Sequence, residues 1–113
     1  MSNTDQQAIR AKLEQGINKN ARHIFRNKPG HLSDDTPENR QLFVETVIEP
    51  NNYLGTDKYN TQWYAKTLTT GEQIWVQVRN GEIRNGGKNP LPKTWHPDTG
   101  LSSSTQPNYQ NNS

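Results

Sequence analysis

The chain has 113 residues, of which only 27% are hydrophobic, and its formal net charge is +2. This length suits a single domain. The absence of cysteine excludes disulfide bonds, thiolate catalysis and cysteine-ligated zinc. There is no apolar run of about 18 residues, so the sequence predicts no membrane-spanning helix. The first residues lack the apolar stretch of a signal peptide, so none is predicted within them.

Both ends of the chain are predicted to be unstructured. Residues 1–6 are polar, and residues 101–113 are rich in Ser, Asn, Gln and Pro. The predicted domain therefore covers residues 7–100. Basic residues outnumber acidic ones in segments 1–30 and 61–113, whereas acidic residues dominate segment 31–60. Such basic zones raise the local concentration of phosphate polymers.

The first predicted element is a helix over residues 7 to about 25. Its apolar residues recur at spacings of three and four and form one stripe. The stripe consists of Ile9, Leu13, Ile17, Ala21 and Ile24. Gly16 weakens the middle of this helix. The turn residues Pro29 and Gly30 follow its end.

A second helix is predicted to start at residues 35–38. Asp35 or Thr36 can cap its free amides, and Pro37 suits the first turn. Its predicted buried residues are Leu42, Phe43, Val47 and Ile48. Pro50 ends the helix, because proline cannot continue the hydrogen-bond pattern.

The hydrophobic period then changes to two, which predicts strands over residues 61–68, 73–79 and 82–85. Two-residue hairpin turns are predicted at Thr70-Gly71 and Asn80-Gly81. A further strand near Tyr53 is a weaker prediction, and Gly86-Gly87 is expected to end the sheet. The predicted fold is α+β, with two N-terminal helices packed on one face of a three- to four-stranded antiparallel meander sheet.

These two turns predict which side chains share a face of the sheet. They place Lys66 opposite Trp75, and Gln77 opposite both Tyr64 and Arg84. One face is apolar and is expected to pack on the helices; it carries Trp63, Ala65, Thr67, Ile74, Val76, Val78 and Ile83. The other face is expected to be open; it carries Tyr64, Lys66, Trp75, Gln77, Arg79, Glu82 and Arg84.

The predicted open face combines aromatic rings with cations. Aromatic side chains stack on bases, and Lys and Arg pair with phosphates. The predicted RNA-binding residues are therefore Tyr64, Trp75, Gln77 and Arg84, with Thr36 and Asn85 as further substrate contacts. The alternative is a solvated face with ordinary cross-strand pairs, in which Thr36 is a helix cap and Asn85 a turn residue.

Cleavage of RNA without a metal needs a proton carrier and cations that stabilise the phosphorane. Histidine is the usual proton carrier near neutral pH. The predicted catalytic residues are His31, in a loop before the second helix, and His23, with Lys66 and Arg79 as charge stabilisers. Alternatively, Arg79 forms a salt bridge with Glu82. No spacing of His, Asp or Glu predicts a metal site, and no cofactor motif is present.

Several segments resemble C-terminal toxin domains of haemagglutinin-type exoproteins. They are GHLSDDTPENR at 30–40, WYAK at 63–66, QIWVQVRNGEI at 73–83 and RNGGKNP at 84–90. The order of helices followed by a meander is similar to the barnase/EndoU/RelE-like ribonuclease superfamily. The resemblance implies a metal-independent ribonuclease toxin of a contact-dependent growth inhibition system, often one that cuts tRNA. It also implies a cognate immunity protein.

The leading expectation is thus a monomeric ribonuclease without cofactor, carried on a larger secreted exoprotein and delivered to the cytoplasm of a target cell. Two alternatives stay open. One is a non-enzymatic RNA-binding module that uses the same face. The other is a protein-interaction domain, such as an immunity or adaptor protein, with Tyr64 and Trp75 at the centre of its interface.

Overall fold

The computed structural model describes residues 3–102 of the chain. In order, the elements are α1 (Asn3–Ile24), α2 (Pro37–Ile48), a 3-10 turn (Pro50–Asn52), β1 (Tyr53–Thr56), β2 (Gln62–Thr67), β3 (Gln73–Arg79), β4 (Glu82–Asn89), β5 (Thr94–His96) and β6 (Gly100–Ser102). Strands β1 to β4 form an antiparallel sheet in chain order, and β5 and β6 form a separate hairpin. The predicted α+β fold, with N-terminal helices packed on the sheet, is confirmed.

Helix α1 begins earlier than predicted. Residues 3–6 are helical rather than unstructured, and the apolar stripe buries Leu13, Ile17 and Ile24. The helix bends at Asn20, which has a φ of −115° and a ψ of 17°. Asn20 Nδ2 donates to the Gly16 carbonyl at 2.8 Å and to the Ile83 carbonyl at 3.3 Å. The bend is therefore anchored to β4.

Helix α2 has the predicted start and end. The Asn39 amide donates to Thr36 Oγ1 at 3.1 Å, so Thr36 is the N-cap, and Pro37 is the first helical residue. The prediction of its buried face was partly wrong: the fully buried residues are Phe43, Val44 and Thr46. The other three predicted residues, Leu42, Val47 and Ile48, are only partly buried against the core.

The predicted pairing of β2 with β3 was wrong by one residue. Ala65, not Lys66, lies opposite Trp75, and Tyr64 lies opposite Val76. The Leu68 amide donates to the Glu72 carbonyl at 2.7 Å, so the loop consists of three residues, 69–71, rather than two. Since side chains alternate between faces, this shift moves every side chain of β2 to the other face.

Strand β4 is longer than predicted and contains a bulge. It continues through Gly86-Gly87 to Asn89, whereas the sequence predicted its end at residue 85. The predicted pairing of Arg79 with Glu82 and of Val78 with Ile83 is confirmed, but Gln77 lies opposite Asn85 rather than Arg84. The bulge arises because Arg84 is an extra residue between these pairs.

The face of the sheet away from the helices, here called the outer face, is only partly open. Trp63 and Trp75 point to it, and each is only 8% exposed. The loop before α2 covers Trp75, whose Nε1 donates to the Gly30 carbonyl at 2.9 Å. The β5–β6 hairpin covers Trp63, because its Gly100 and Trp95 lie against that ring.

The hairpin corrects the predicted C-terminal boundary. Leu101 and Ser102 belong to β6, although residues 101–113 were predicted to be unstructured. The rest of that segment, residues 103–113, lies outside the described residues. In residues 3–102, neither helix combines the length and apolar character needed to cross a membrane.

Candidate functional site

The uncovered part of the outer face is a groove of about 290 Å³, here called the arginine groove. It is lined by Asn20, His23, Thr61, Gln77, Arg79 and Arg84. Four of the residues that the sequence predicted for a site therefore lie together: His23, Gln77, Arg79 and Arg84. They come from the end of α1, from alternate positions of β3 and from the bulge of β4.

Arg79 is held by neutral oxygen atoms. Its Nη2 donates to Thr61 Oγ1 at 2.7 Å and to the Tyr59 carbonyl at 3.2 Å. Glu82, the partner that the alternative interpretation required, instead pairs with Lys19 at 2.6 Å. Within residues 3–102, no carboxylate lies at salt-bridge distance from Arg79, and its Nε has no hydrogen-bond partner. No contacting carboxylate therefore neutralises this guanidinium.

Asp57 organises the turn that holds Arg79. Its carboxylate accepts hydrogen bonds from Trp63 Nε1 at 2.9 Å and from the amides of Tyr59 and Thr61. Burial acts to raise the pKa of Asp57, but these hydrogen bonds and the charge of Arg79 together hold the pKa below its ordinary value. The ionised carboxylate thus fixes the oxygens of Tyr59 and Thr61 that orient the guanidinium.

Arg84 lies in the same groove, at the bulge of β4. It follows the inward-facing Ile83, so the alternation of side chains along the strand directs it to the outer face. Arg84 is exposed and lines the groove together with Arg79. Two guanidinium groups therefore line one small concave surface, which is an arrangement suited to a phosphate.

His23 reaches the groove because α1 bends. It lies in the last turn of the helix, three residues after Asn20, and it is exposed. The hydrogen bond from Asn20 Nδ2 to the Ile83 carbonyl connects that turn to the backbone of β4. An accessible imidazole is thus present beside the two arginines, where it can exchange a proton with a bound molecule.

His31 lies in a second, smaller pocket of about 110 Å³, here called the indole pocket. The pocket is lined by residues that include Gly30, His31, Trp63, Trp75, Asn89 and Lys93. His31 Nδ1 lies 3.0 Å from the Ile24 carbonyl, which can only accept, so Nδ1 carries the proton. His31 Nε2 lies 3.5 Å from Nη2 of Arg26.

The surroundings of His31 favour its neutral form. Burial is the main cause of a pKa below the usual value of 6.5, although the hydrogen bond to Ile24 opposes it. The charges of Arg26, Lys28 and His23 lower the pKa further. The ring also contacts Trp75 edge-on, with centroids 5.4 Å apart. His31 is therefore a neutral imidazole whose Nε2 carries the lone pair.

The structure separates two other predicted site residues, Tyr64 and Lys66, from both cavities. Tyr64 and Lys66 share the face of β2 that the helices cover, because the register differs from the predicted one. Tyr64 packs against Tyr53, with ring centroids 5.3 Å apart, and burial raises its pKa. Both residues were thus wrongly predicted to lie beside Arg79. Trp75 has the predicted face, but it is buried rather than open.

Thr36 and Asn85 have local roles. Thr36 caps α2, which is the alternative that the sequence left open. Asn85 lies opposite Gln77, and its Oδ1 accepts from the Gly86 amide at 3.0 Å. Neither residue lines the arginine groove or the indole pocket.

Five residues that the sequence analysis did not single out shape the two cavities: Asn20, Asp57, Thr61, Asn89 and Lys93. Only the segment around Asp57 carries a local signal, because an Asp followed closely by Asn is typical of a side-chain-stabilised turn. Among the described residues, no group of three His, Cys, Asp or Glu is arranged to hold a metal ion.

No protein family, curated protein or solved structure matches this chain. The interpretation of the two cavities therefore depends on their own geometry and chemistry.

Proposed function

We propose that the protein is a metal-independent ribonuclease and that the arginine groove binds the phosphate that is cleaved. The observation that carries this proposal is the position of Arg79 and Arg84 in one groove with an accessible imidazole, His23. Arg79 supports it further, because its guanidinium is oriented by neutral oxygens and has no contacting carboxylate.

The residues of the groove suffice for transfer of the phosphate within RNA. The neutral imidazole of His23 takes the proton of the 2′-hydroxyl, and O2′ forms a bond with the adjacent phosphorus. The bond from phosphorus to the leaving 5′ oxygen breaks, and the imidazolium returns the proton to that oxygen. Arg79 and Arg84 stabilise the charge on the phosphorane oxygens. The products are a 2′,3′-cyclic phosphate and a 5′-hydroxyl.

His31, the other predicted catalytic histidine, is less suited to this step. Its Nδ1 donates to the Ile24 carbonyl, and its Nε2 lies 3.5 Å from Nη2 of Arg26. It also lines the indole pocket rather than the arginine groove. We therefore assign the proton transfer to His23.

The biological role that we propose rests on the resemblance given above. The protein would act as the toxin of a contact-dependent inhibition system and cleave tRNA or other RNA in the cytoplasm of a target cell. It would act as a monomer, reach that cell as part of a larger exoprotein, and be neutralised in the producer by a cognate immunity protein. The lack of disulfide bonds is compatible with unfolding during transport.

The test is to incubate the purified protein with total RNA, with and without EDTA. We expect cleavage in both samples and cyclic phosphate ends on the products. Activity that EDTA abolishes would contradict the metal-independent mechanism. RNA binding without any cleavage would instead support the non-enzymatic module. The protein-interaction alternative has lost its main support, because Trp75 is not exposed.

Two variants test the assignment of residues. His23→Ala should reduce the cleavage rate by about 10²- to 10⁴-fold, as expected for loss of a general acid–base group. Arg84→Met should reduce it by about 10²-fold. Both side chains are exposed, so circular dichroism should show unchanged folding. An unimpaired His23→Ala enzyme, or a loss of activity only in His31→Ala, would move the proton transfer to the indole pocket. Growth arrest when the protein is expressed alone would support the toxin role.

A further inference from the structure

We propose that Asp57 and Trp63 are positioning residues for the phosphate that binds in the arginine groove. They connect the β5–β6 hairpin to the guanidinium of Arg79, although no residue of that hairpin lines the groove. The inference rests on the proposed ribonuclease function, because it names the residues that keep the same site in its binding arrangement.

Arg79 depends on neighbouring oxygen atoms for a fixed orientation. Within residues 3–102, no carboxylate lies at salt-bridge distance from it, and its Nη2 donates to Thr61 Oγ1 and to the Tyr59 carbonyl. An arginine side chain loses much rotational freedom when it becomes ordered, so a guanidinium that is already held in place binds a phosphate at lower cost. The positions of these two oxygens therefore decide how well Arg79 meets the phosphate.

The turn over residues 57–61 carries both oxygens, and one carboxylate oxygen holds it together. Asp57 Oδ1 accepts from the Tyr59 amide at 2.9 Å and from the Thr61 amide at 3.0 Å. The backbone closes the same turn, because the Asp57 amide donates to the Thr61 carbonyl at 2.9 Å. Asp57 Oδ1 thus sets where the Tyr59 carbonyl and the Thr61 hydroxyl lie.

The other oxygen of the carboxylate leads to the hairpin. Asp57 Oδ2 accepts from Trp63 Nε1 at 2.9 Å. The Trp63 ring is buried because Gly100 of β6 lies so close that a Cβ there would overlap it. Trp95 of β5 also packs on the ring, with centroids 5.9 Å apart. The ring cannot turn away without displacing the hairpin, so its N–H is a fixed point for the carboxylate.

The hairpin also contacts the chain on both sides of Asp57. The Lys58 amide donates at 3.3 Å to the carbonyl of Pro97, which lies between β5 and β6. Before Asp57, the Trp95 ring lies on Gly55 of β1, where a Cβ would be 3.0 Å from its Cζ2 atom. The hairpin therefore holds the turn directly as well as through Trp63.

The charge of Asp57 allows a test by the sign of an effect. Its carboxylate lies near enough to Arg79 for the guanidinium to contribute to its lowered pKa. By charge alone, Asp57→Asn would remove a repulsion and strengthen the binding of a phosphate. If Asp57 positions Arg79, the same change weakens binding. The new amide keeps one oxygen for the turn, but its NH₂ group cannot accept from Trp63 Nε1.

The probe is a fluorescein-labelled 2′-O-methyl tetrauridylate, which lacks the attacking hydroxyl and is not cleaved. Its affinity is measured by fluorescence anisotropy. Asp57→Asn, Trp63→Phe and Thr61→Val should each lower the affinity about 10-fold, as expected for loss of one hydrogen bond to a charged group. The double variant Asp57→Asn/Trp63→Phe should lose no more than Asp57→Asn alone, because both changes break the same link.

Trp75→Phe is the matched control. It removes the other buried indole N–H of the outer face, which donates to Gly30 and not to the turn. Its affinity for the probe should stay within about twofold of the wild type, although its stability falls. A loss of affinity in Trp63→Phe without one in Trp75→Phe would therefore report the link to Arg79 rather than general destabilisation.

A spectroscopic signal reports the position of Arg79 without any RNA. The Nε–H of Arg79 is buried without a hydrogen-bond partner, so its NMR signal should be resolved and should shift in Asp57→Asn and Trp63→Phe. An unmoved signal in Trp63→Phe, or an unchanged or higher affinity in Asp57→Asn, would overturn the inference even if the protein cleaves RNA. The expected losses of affinity in a protein that cleaves no RNA would overturn the proposed function and leave the positioning role standing.

Discussion

Gly16→Ala is expected to destabilise the protein, although the same change stabilises most helices. At an ordinary position in a helix, alanine gains about 1 kcal/mol over glycine. Here the new Cβ would lie 2.5 Å from the backbone nitrogen and 2.5 Å from the backbone oxygen of Ile83. Backbone atoms cannot rotate away as a side chain does, so we expect a cost of about 2–3 kcal/mol for overpacking. The net loss of stability is then about 1–2 kcal/mol.

Thermal unfolding followed by circular dichroism would measure this loss. For a domain of this size, about 1–2 kcal/mol lowers the Tm by roughly 4–16 °C. Gln15→Ala is the matched control, because Gln15 is the exposed neighbour in α1 and should change stability by less than about 0.5 kcal/mol. A Gly16→Ala protein with a Tm equal to or above that of the wild type would refute the close packing of α1 on β4. Displacing α1 also moves Asn20 and His23, so cleavage by the folded variant should fall.

Three further predictions test other features of the structure. Lys66→Met should leave RNA cleavage unchanged within about twofold, because Lys66 shares the face of β2 that the helices cover; a larger loss would restore its predicted catalytic role. Trp75→Phe should lower the free energy of unfolding in urea by about 1–3 kcal/mol, since it removes the hydrogen bond to Gly30 and part of a buried ring. Burial lowers the pKa of His31 in the folded protein below 6.5, so the unfolded chain binds the proton more readily. The free energy of unfolding should therefore fall as the pH decreases from 7 to 5.5. The urea midpoint of His31→Gln should change less over that range, and an equal change would contradict the assignment.

The two hairpin turns explain why only part of the register was predictable. Asn80 and Gly81 both have positive φ, 55° and 78°, so this turn has the backbone that Asn-Gly favours, and the predicted pairing of β3 with β4 starts correctly. In the other turn only Gly71 has positive φ, at 92°. A two-residue turn would have required positive φ at Thr70, which is unfavourable for a β-branched residue. The sequence therefore contained a reason to expect a three-residue loop.

The candidate site was predictable where it depended on a single strand. Gln77 and Arg79 were placed correctly, because alternation along β3 does not depend on the loop length. Arg84 was placed on the correct face, although the predicted pairing of Arg84 with Gln77 was wrong. A bulge in β4 puts Asn85 opposite Gln77 instead. His23 was a weak sequence candidate because a helical pattern cannot reveal a bend; the bend depends on a hydrogen bond from Asn20 to a strand far along the chain.

The covering of the outer face follows from the chemistry of its two ends. At one end the indoles of Trp63 and Trp75 would expose large apolar rings to water, and burying such rings is strongly favourable. The segment that covers them includes two strands of three residues each, β5 and β6, which are too short to show a periodic pattern. At the other end Arg79 and Arg84 would lose hydration if they were covered without an anion. The β5–β6 hairpin and the loop before α2 therefore cover the aromatic half, whereas the cationic half stays accessible.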